Sequence, residues 1–165
     1  MSKTTTLVRI VANYGHQYLG LLNDSRTDDE QPQWVQLVAR GKKQGYAVGD
    51  VVQVTLTNTS STPAQGAIEK VHERRNLFYR SEFNKQKNLA ANIDQVAIIC
   101  ATEPGFSEEL LGRALICAHV ADIEALIVLN KVDVAELLPF ARERLALYQS
   151  LGYRVIEVSA NQENS

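Results

Sequence analysis

No apolar run in the 165 residues reaches the roughly 18 needed to cross a bilayer, so no membrane partner is expected. Cysteine is scarce. Cys100 and Cys117 are the only two, each inside an apolar stretch, and neither shares metal-ligand spacing with His16, His72 or His119. No metal site is therefore expected in this chain, and both thiols are expected to be reduced and buried. Internal repeats and low-complexity tracts are missing too. Met1–Thr6 runs into a strand-like pattern and not into a secretory leader, which makes cytoplasmic residence the expectation.

What is present is ordinary in amount and uneven in placement. Apolar residues make up 45 % and charged residues 22 %, the balance of a folded globular chain. Residues 1–90 hold 12 Lys+Arg against 8 Asp+Glu, whereas residues 91–165 hold 5 against 11. A basic half joined to an acidic half suggests two domains with different partners.

The first half reads as short strands with turn signals between them. Leu7–Ala12, Gln17–Leu22, Trp34–Ala39, Val51–Leu56 and Gly66–His72 alternate or run apolar, separated by segments such as Asn13-Tyr14-Gly15 and Gly49-Asp50. Five short strands in about 70 residues suit a small closed barrel of the OB type, which leaves no unpaired edge. Residues 1–73 are therefore expected to be an OB barrel. Residues 74–94 are expected to be a basic, polar linker.

After residue 95 the period changes. Gln95–Ala101 is a continuous apolar run, as expected of a strand covered on both faces. Ser107 is placed to cap a helix over Glu108–Val120. Ala125–Leu129 is a second buried strand, Leu137–Leu151 a second helix stopped by Gly152, and Arg154–Val158 a third strand. Strand–helix–strand–helix–strand predicts a parallel α/β sheet over residues 95–165.

The sharpest chemical signal is Asn130-Lys131-Val132-Asp133, just past the strand Ala125–Leu129. Ligands of open α/β sheets gather outside the carboxyl ends of strands. A guanine offers N1–H and N2–H2, two parallel donors on one edge, and the Asp133 carboxylate is able to accept both. Asn130 either bonds the base or ties neighbouring loops together. The Lys131 stem is suited to lie along the purine face with its ammonium on backbone oxygens. Ser159-Ala160 follows the next strand, where a backbone N–H is expected to reach the guanine O6. The competing reading is a polar turn of no function.

The rest of a nucleotide site is not in this sequence. A phosphate loop needs Gly-x-x-x-x-Gly-Lys-[Ser/Thr]. The only Gly-Lys is Gly41-Lys42, preceded by Gln36 where the first glycine should stand and followed by Lys43. No Asp-x-x-Gly occurs. A phosphate site, if the protein has one, is expected after residue 165.

These stretches together resemble the RsgA (YjeQ) family of small-subunit biogenesis GTPases. The likeness rests on Ile68-Glu69-Lys70-Val71-His72-Glu73-Arg74, Arg75-x-x-x-x-Arg80, Ala90-Ala91-Asn92-Ile93-Asp94-Gln95, Ile127–Asp133, and Leu151-Gly152-Tyr153-Arg154-Val155 before Val158-Ser159. The resemblance implies an OB domain, then a circularly permuted GTPase domain whose guanine motif precedes its phosphate loop, then a zinc-binding domain. It implies GTP or GDP with Mg2+ as ligands and the small ribosomal subunit with its rRNA as partners. It also implies that Asn130, Lys131, Val132, Asp133, Ser159 and Ala160 form the guanine site. The phosphate loop, magnesium ligand, catalytic switch and zinc ligands have no counterpart here, so the chain is expected to be a truncated form without GTPase activity.

For RNA the first half offers Arg9, Arg40, Lys42, Lys43, Lys70, Arg74, Arg75 and Arg80, with Tyr14, Tyr18, Trp34 and Tyr79 as stacking surfaces. Arg74, Arg75 and Arg80 have a second reading, as pins for the linker. A stand-alone RNA-binding barrel with a structural α/β appendage is the alternative function. The strand 95–101 is expected to be a bare parallel edge, inviting self-association.

Overall fold

The computed structural model describes residues 5–22, 31–40, 45–82 and 85–161. It divides into two compact units, residues 1–93 and 94–165.

In the first unit five strands close a barrel in the order β1-β2-β3-β5-β4. They are β1 (Thr5–Asn13), β2 (Gln17–Leu22), β3 (Gln33–Ala39), β4 (Val51–Asn58) and β5 (Ala64–Val71). Only β3 and β5 pair in parallel; the other barrel pairs are antiparallel. The alternation legible in the sequence sends Val8, Ile10, Tyr18, Val35, Leu37, Val52, Val54 and Ile68 into one core. At Gly20 the barrel wall comes close: a Cβ there would lie 2.3 Å from Val8 Cγ1 and 2.8 Å from Leu37 Cδ1. Tyr18 is buried and meets Tyr46 edge to face at 5.4 Å. It is therefore a core residue, which corrects its expected role as a stacking surface.

Leu77–Glu82 (β6) and Lys85–Ala91 (β7), which fall within the expected linker, pair as an antiparallel hairpin. It belongs to the compact unit of the barrel. The attachment is made by backbone and amide groups. Asn92, at φ 56°, donates through Nδ2 to the Gly49 carbonyl at 2.9 Å and accepts the Arg75 N–H at 2.8 Å. Asn76 makes a reciprocal pair with the Ile93 backbone. Gly49 adopts φ +91°, and a Cβ on it would sit 1.9 Å from the Ala91 carbonyl oxygen, so only glycine fits this crossing. Beneath it Asp50 is fully buried and holds Arg74. Polar side chains that read as linker composition are thus the bonds that fasten the hairpin.

The second unit is a three-stranded parallel sheet in the order β10-β9-β8. Its elements are β8 (Gln95–Ala101), α1 (Glu108–Val120), β9 (Glu124–Asn130), α2 (Leu138–Ser150) and β10 (Arg154–Glu157). Ser107 caps α1 as expected, its hydroxyl accepting from the Leu110 N–H at 3.3 Å. Leu111, Leu115, Ala141 and Leu145 from the helices pack on Ile98, Cys100, Ile127, Leu129 and Val155. Both helices therefore cover the same face. The alternate residues of the strands, among them Ile99, Leu126, Val128 and Ile156, point to the other face. Ile99 is 69 % exposed, so β8 is not covered on both faces among the described residues; its apolar run belongs to a sheet that ends at this strand.

Cys100 is buried, and burial pushes its thiol above the ordinary value. Cys117 is exposed, contrary to expectation: it sits on the outer side of α1, whose inner side is Leu111, Leu115 and Ala118. Among the described residues no helix is long and apolar enough to cross a membrane.

Candidate functional site

Parallel strands bring their carboxyl ends to one rim. Three loops leave it, beginning at residues 102, 131 and 158 after β8, β9 and β10. The tetrapeptide Asn130–Asp133 and the pair Ser159-Ala160, widely separated in sequence, meet there. Asn130 Oδ1 accepts the Ala160 N–H at 3.2 Å and the Lys131 N–H at 2.7 Å. Of the two roles open to Asn130, this structure has the loop tie. Val132 N–H donates to the Val158 carbonyl at 3.3 Å, and Val158 N–H to Leu129 at 2.9 Å.

The acidic residue is presented outward. Asp133 is exposed, and its Oδ1 accepts the hydroxyl of the buried Ser159 at 2.5 Å. One carboxylate oxygen is oriented from beneath, and the other has no side-chain donor among the described contacts. A planar group with two parallel N–H donors fits such an acceptor pair. Lys131 stands at φ +60°, uncommon for a residue with a side chain, and its Nζ donates to the Glu103 carbonyl at 2.7 Å. Its ammonium thus holds a backbone oxygen, as read from the sequence, and that oxygen belongs to the loop after β8.

Thr102 and Glu103 escaped the sequence reading. They belong to no short motif, and the only hint was a threonine closing an apolar run. Among the described residues no group of three His, Cys, Asp or Glu is arranged to hold a metal ion.

Several of the cations considered for RNA have partners within the chain. Arg74 is committed to Asp50 through two bonds, of 2.7 and 2.8 Å. Arg40 pairs with Glu69 at 2.9 Å, and Arg9 donates to the Gly49 carbonyl at 3.4 Å. Arg75 contributes its backbone N–H to Asn92. Arg80 lies on the hairpin directly across from Lys87. Lys42 and Lys43 fall outside the described residues. Tyr14, Trp34 and Tyr79 are exposed, at 70, 42 and 40 %.

Comparison with known proteins fits this geometry. The family model described as RsgA GTPase matches residues 71–165. The chain is 47 % identical over 151 residues to the small ribosomal subunit biogenesis GTPase RsgA of Burkholderia pseudomallei, covering 92 % of this chain and 45 % of that protein.

The chain belongs to the RsgA GTPase family.

A second relative of the same name, from Paraburkholderia phymatum, is 48 % identical over 150 residues, 91 % of this chain and 44 % of its own length. The chain thus spans a little under half the length of the RsgA proteins it matches. Two solved structures share the fold. YjeQ from Thermotoga maritima aligns with a TM-score of 0.64 at 23 % identity, over 95 % of this chain and 52 % of its own. YloQ, described as a circularly permuted GTPase, aligns at 0.62 and 22 % identity, over 96 % and 53 %. A closed barrel followed by a three-stranded parallel α/β unit is the architecture of this RsgA-family chain.

Proposed function

We propose that these residues are the rRNA-facing and guanine-reading part of a GTPase that assists maturation of the small ribosomal subunit in the cytoplasm. The observation that carries the nucleotide reading is the exposed Asp133 carboxylate, oriented by Ser159 at the rim where Asn130 and Ala160 join two loops. Asn130, Lys131, Val132, Asp133, Ser159 and Ala160 form the base site, with Asp133 reading the base, Ser159 orienting Asp133 and Asn130 tying the two loops. The chain spans 45 % of the matched RsgA protein, and the phosphate, Mg2+ and zinc sites that the family resemblance implies are assigned to the part of such a protein that these residues do not span. Phosphate and metal contacts supply nearly all the catalysis in such enzymes, so the 165-residue chain alone does not turn over GTP.

The barrel unit faces rRNA. Support comes from the hairpin, where Arg80 and Lys87 are cross-strand partners. Two cations side by side on neighbouring strands suit a nucleic-acid phosphate. Exposed Tyr14, Trp34 and Tyr79 give bases a surface to stack on. The test has two arms. The gene's full-length product is expected to bind GDP well ahead of ADP, and equal affinity rejects the nucleotide reading. The 165-residue chain is expected to bind small-subunit rRNA with an affinity that falls steeply between low and physiological salt. A salt-insensitive or undetectable affinity rejects the RNA reading and leaves the other standing.

Among the described residues β8 ends its sheet, and Ile99 beside that edge is 69 % exposed, which together support self-association of the 165-residue chain through Gln95–Ala101. Sedimentation is expected to show dimers or larger species that an Ile99→Lys variant reduces. A clean monomer at high concentration removes the proposal.

A further inference from the structure

The guanine loop is held from a direction that its motif does not reveal. Thr102, 6 % exposed, follows β8, and both of its donors reach the tetrapeptide. Its backbone N–H donates to the Asn130 carbonyl at 3.3 Å. Its hydroxyl donates to the Lys131 carbonyl at 2.8 Å. Two consecutive peptide planes are therefore fixed at both ends. The 130–131 plane has its carbonyl on Thr102 and its N–H on Asn130 Oδ1. The 131–132 plane has its carbonyl on the Thr102 hydroxyl and its N–H on Val158. Between the planes stands Lys131 at φ +60°, a conformation that an L-residue adopts at a cost and keeps only when its surroundings impose it.

We propose that Thr102 is the positioning residue of this loop: by holding the Lys131 carbonyl it fixes the turn that aims Asp133 at the two-donor edge of guanine. The inference rests on the guanine reading given above. The Thr102 hydroxyl acts through the 131–132 peptide, two residues before the carboxylate that reads the base. Without it, the plane loses one of its two anchors and a part-buried carbonyl loses its donor. The carboxylate then swings relative to the base, and the bond most sensitive to that swing is the second one, to the guanine 2-amino group.

The readout is therefore discrimination between GDP and inosine diphosphate, which lacks the 2-amino group. It is measured by calorimetry on the gene's full-length product. Thr102→Val is expected to weaken GDP about 10-fold, the scale of one lost buried hydrogen bond. Inosine diphosphate is expected to weaken much less, so the preference between them narrows. Thr102→Ser, which keeps the hydroxyl, is expected to retain the wild-type preference. Thr102→Ala, which removes the hydroxyl without adding bulk, has to reproduce the valine result if valine perturbs folding. Equal weakening of both nucleotides, an unchanged preference, or a serine variant as poor as valine overturns the assignment of Thr102. A wild-type protein with no preference for GDP over ADP instead removes the guanine reading itself, and the two failures are told apart by that control.

Discussion

Replacing Asp133 by asparagine is expected to weaken GDP or GTP binding by about 100-fold while raising affinity for the xanthine nucleotide, measured as competing dissociation constants on the full-length product. The magnitude is that of one charge-assisted bond lost together with a donor left facing a donor, about 3 kcal/mol. The direction follows from the site. Ser159 donates to Asp133 Oδ1, so an amide that keeps this bond has its oxygen on the Ser159 side and turns its NH2 toward the base. Guanine presents its own NH2 at that position, and two donors meet. Xanthine presents a carbonyl oxygen there, and donor meets acceptor. The exchange of one atom therefore inverts the preference between the two bases instead of merely lowering affinity. Unchanged discrimination in the variant means that Asp133 does not contact the base, and the nucleotide assignment of this loop fails with it.

How far this site was legible depends on which bonds carry information in the order of residues. Asn130–Asp133 and Ser159-Ala160 stood out because each follows an apolar strand, and a parallel sheet brings strand ends together whatever the length between them. Thr102 did not stand out, since its role depends on β8 being the neighbour of β9, a fact of sheet order that no local pattern encodes. The barrel was readable because alternation marks its inward residues, Val8, Ile10, Val35, Leu37, Val52 and Val54. The hairpin β6–β7 was not. Its strands carry apolar residues at one end only and do not alternate, and its hold on the barrel runs through Asn92, Gly49 and Asp50, residue types that elsewhere mark turns. Tyr18 and Cys117 were assigned to the wrong sides for a related reason. Tyrosine fits a core or a surface equally well, and a cysteine in an apolar helix is inward or outward by a single step of 100°.

The second large effect concerns stability, at the junction that the sequence disguised. Arg74→Ala is expected to cost the barrel unit about 3–5 kcal/mol, read as a fall in the urea midpoint of the 165-residue chain. Asp50 is 0 % exposed, and its oxygens accept from Arg74 Nε at 2.7 Å, from Arg74 Nη2 at 2.8 Å and from the Ala47 N–H at 2.8 Å. Removing the guanidinium leaves a carboxylate enclosed without its counter-charge, and small domains have only about 5–15 kcal/mol to lose. The reverse deletion, Asp50→Ala, is expected to cost less. The Arg74 side chain is 24 % exposed and still bonds the Gly45 carbonyl at 2.8 Å, so its charge has both water and an acceptor within reach. Arg74→Lys should fall between, because an ammonium is unable to span both carboxylate oxygens with the fixed fork of the guanidinium. The ranking alanine, then lysine, then wild type at position 74, with Asp50→Ala milder than Arg74→Ala, is specific to a buried acid held by a half-buried base. If Arg74→Ala moves the midpoint by less than the equivalent of about 1 kcal/mol, the level of a surface pair, then Asp50 finds other donors or water. The hairpin would in that case be fastened without Arg74, by Asn92 on Gly49, Asn88 on Gly45 and the Ala91 N–H on Val48, and Arg74 would return to the set of arginines available to RNA.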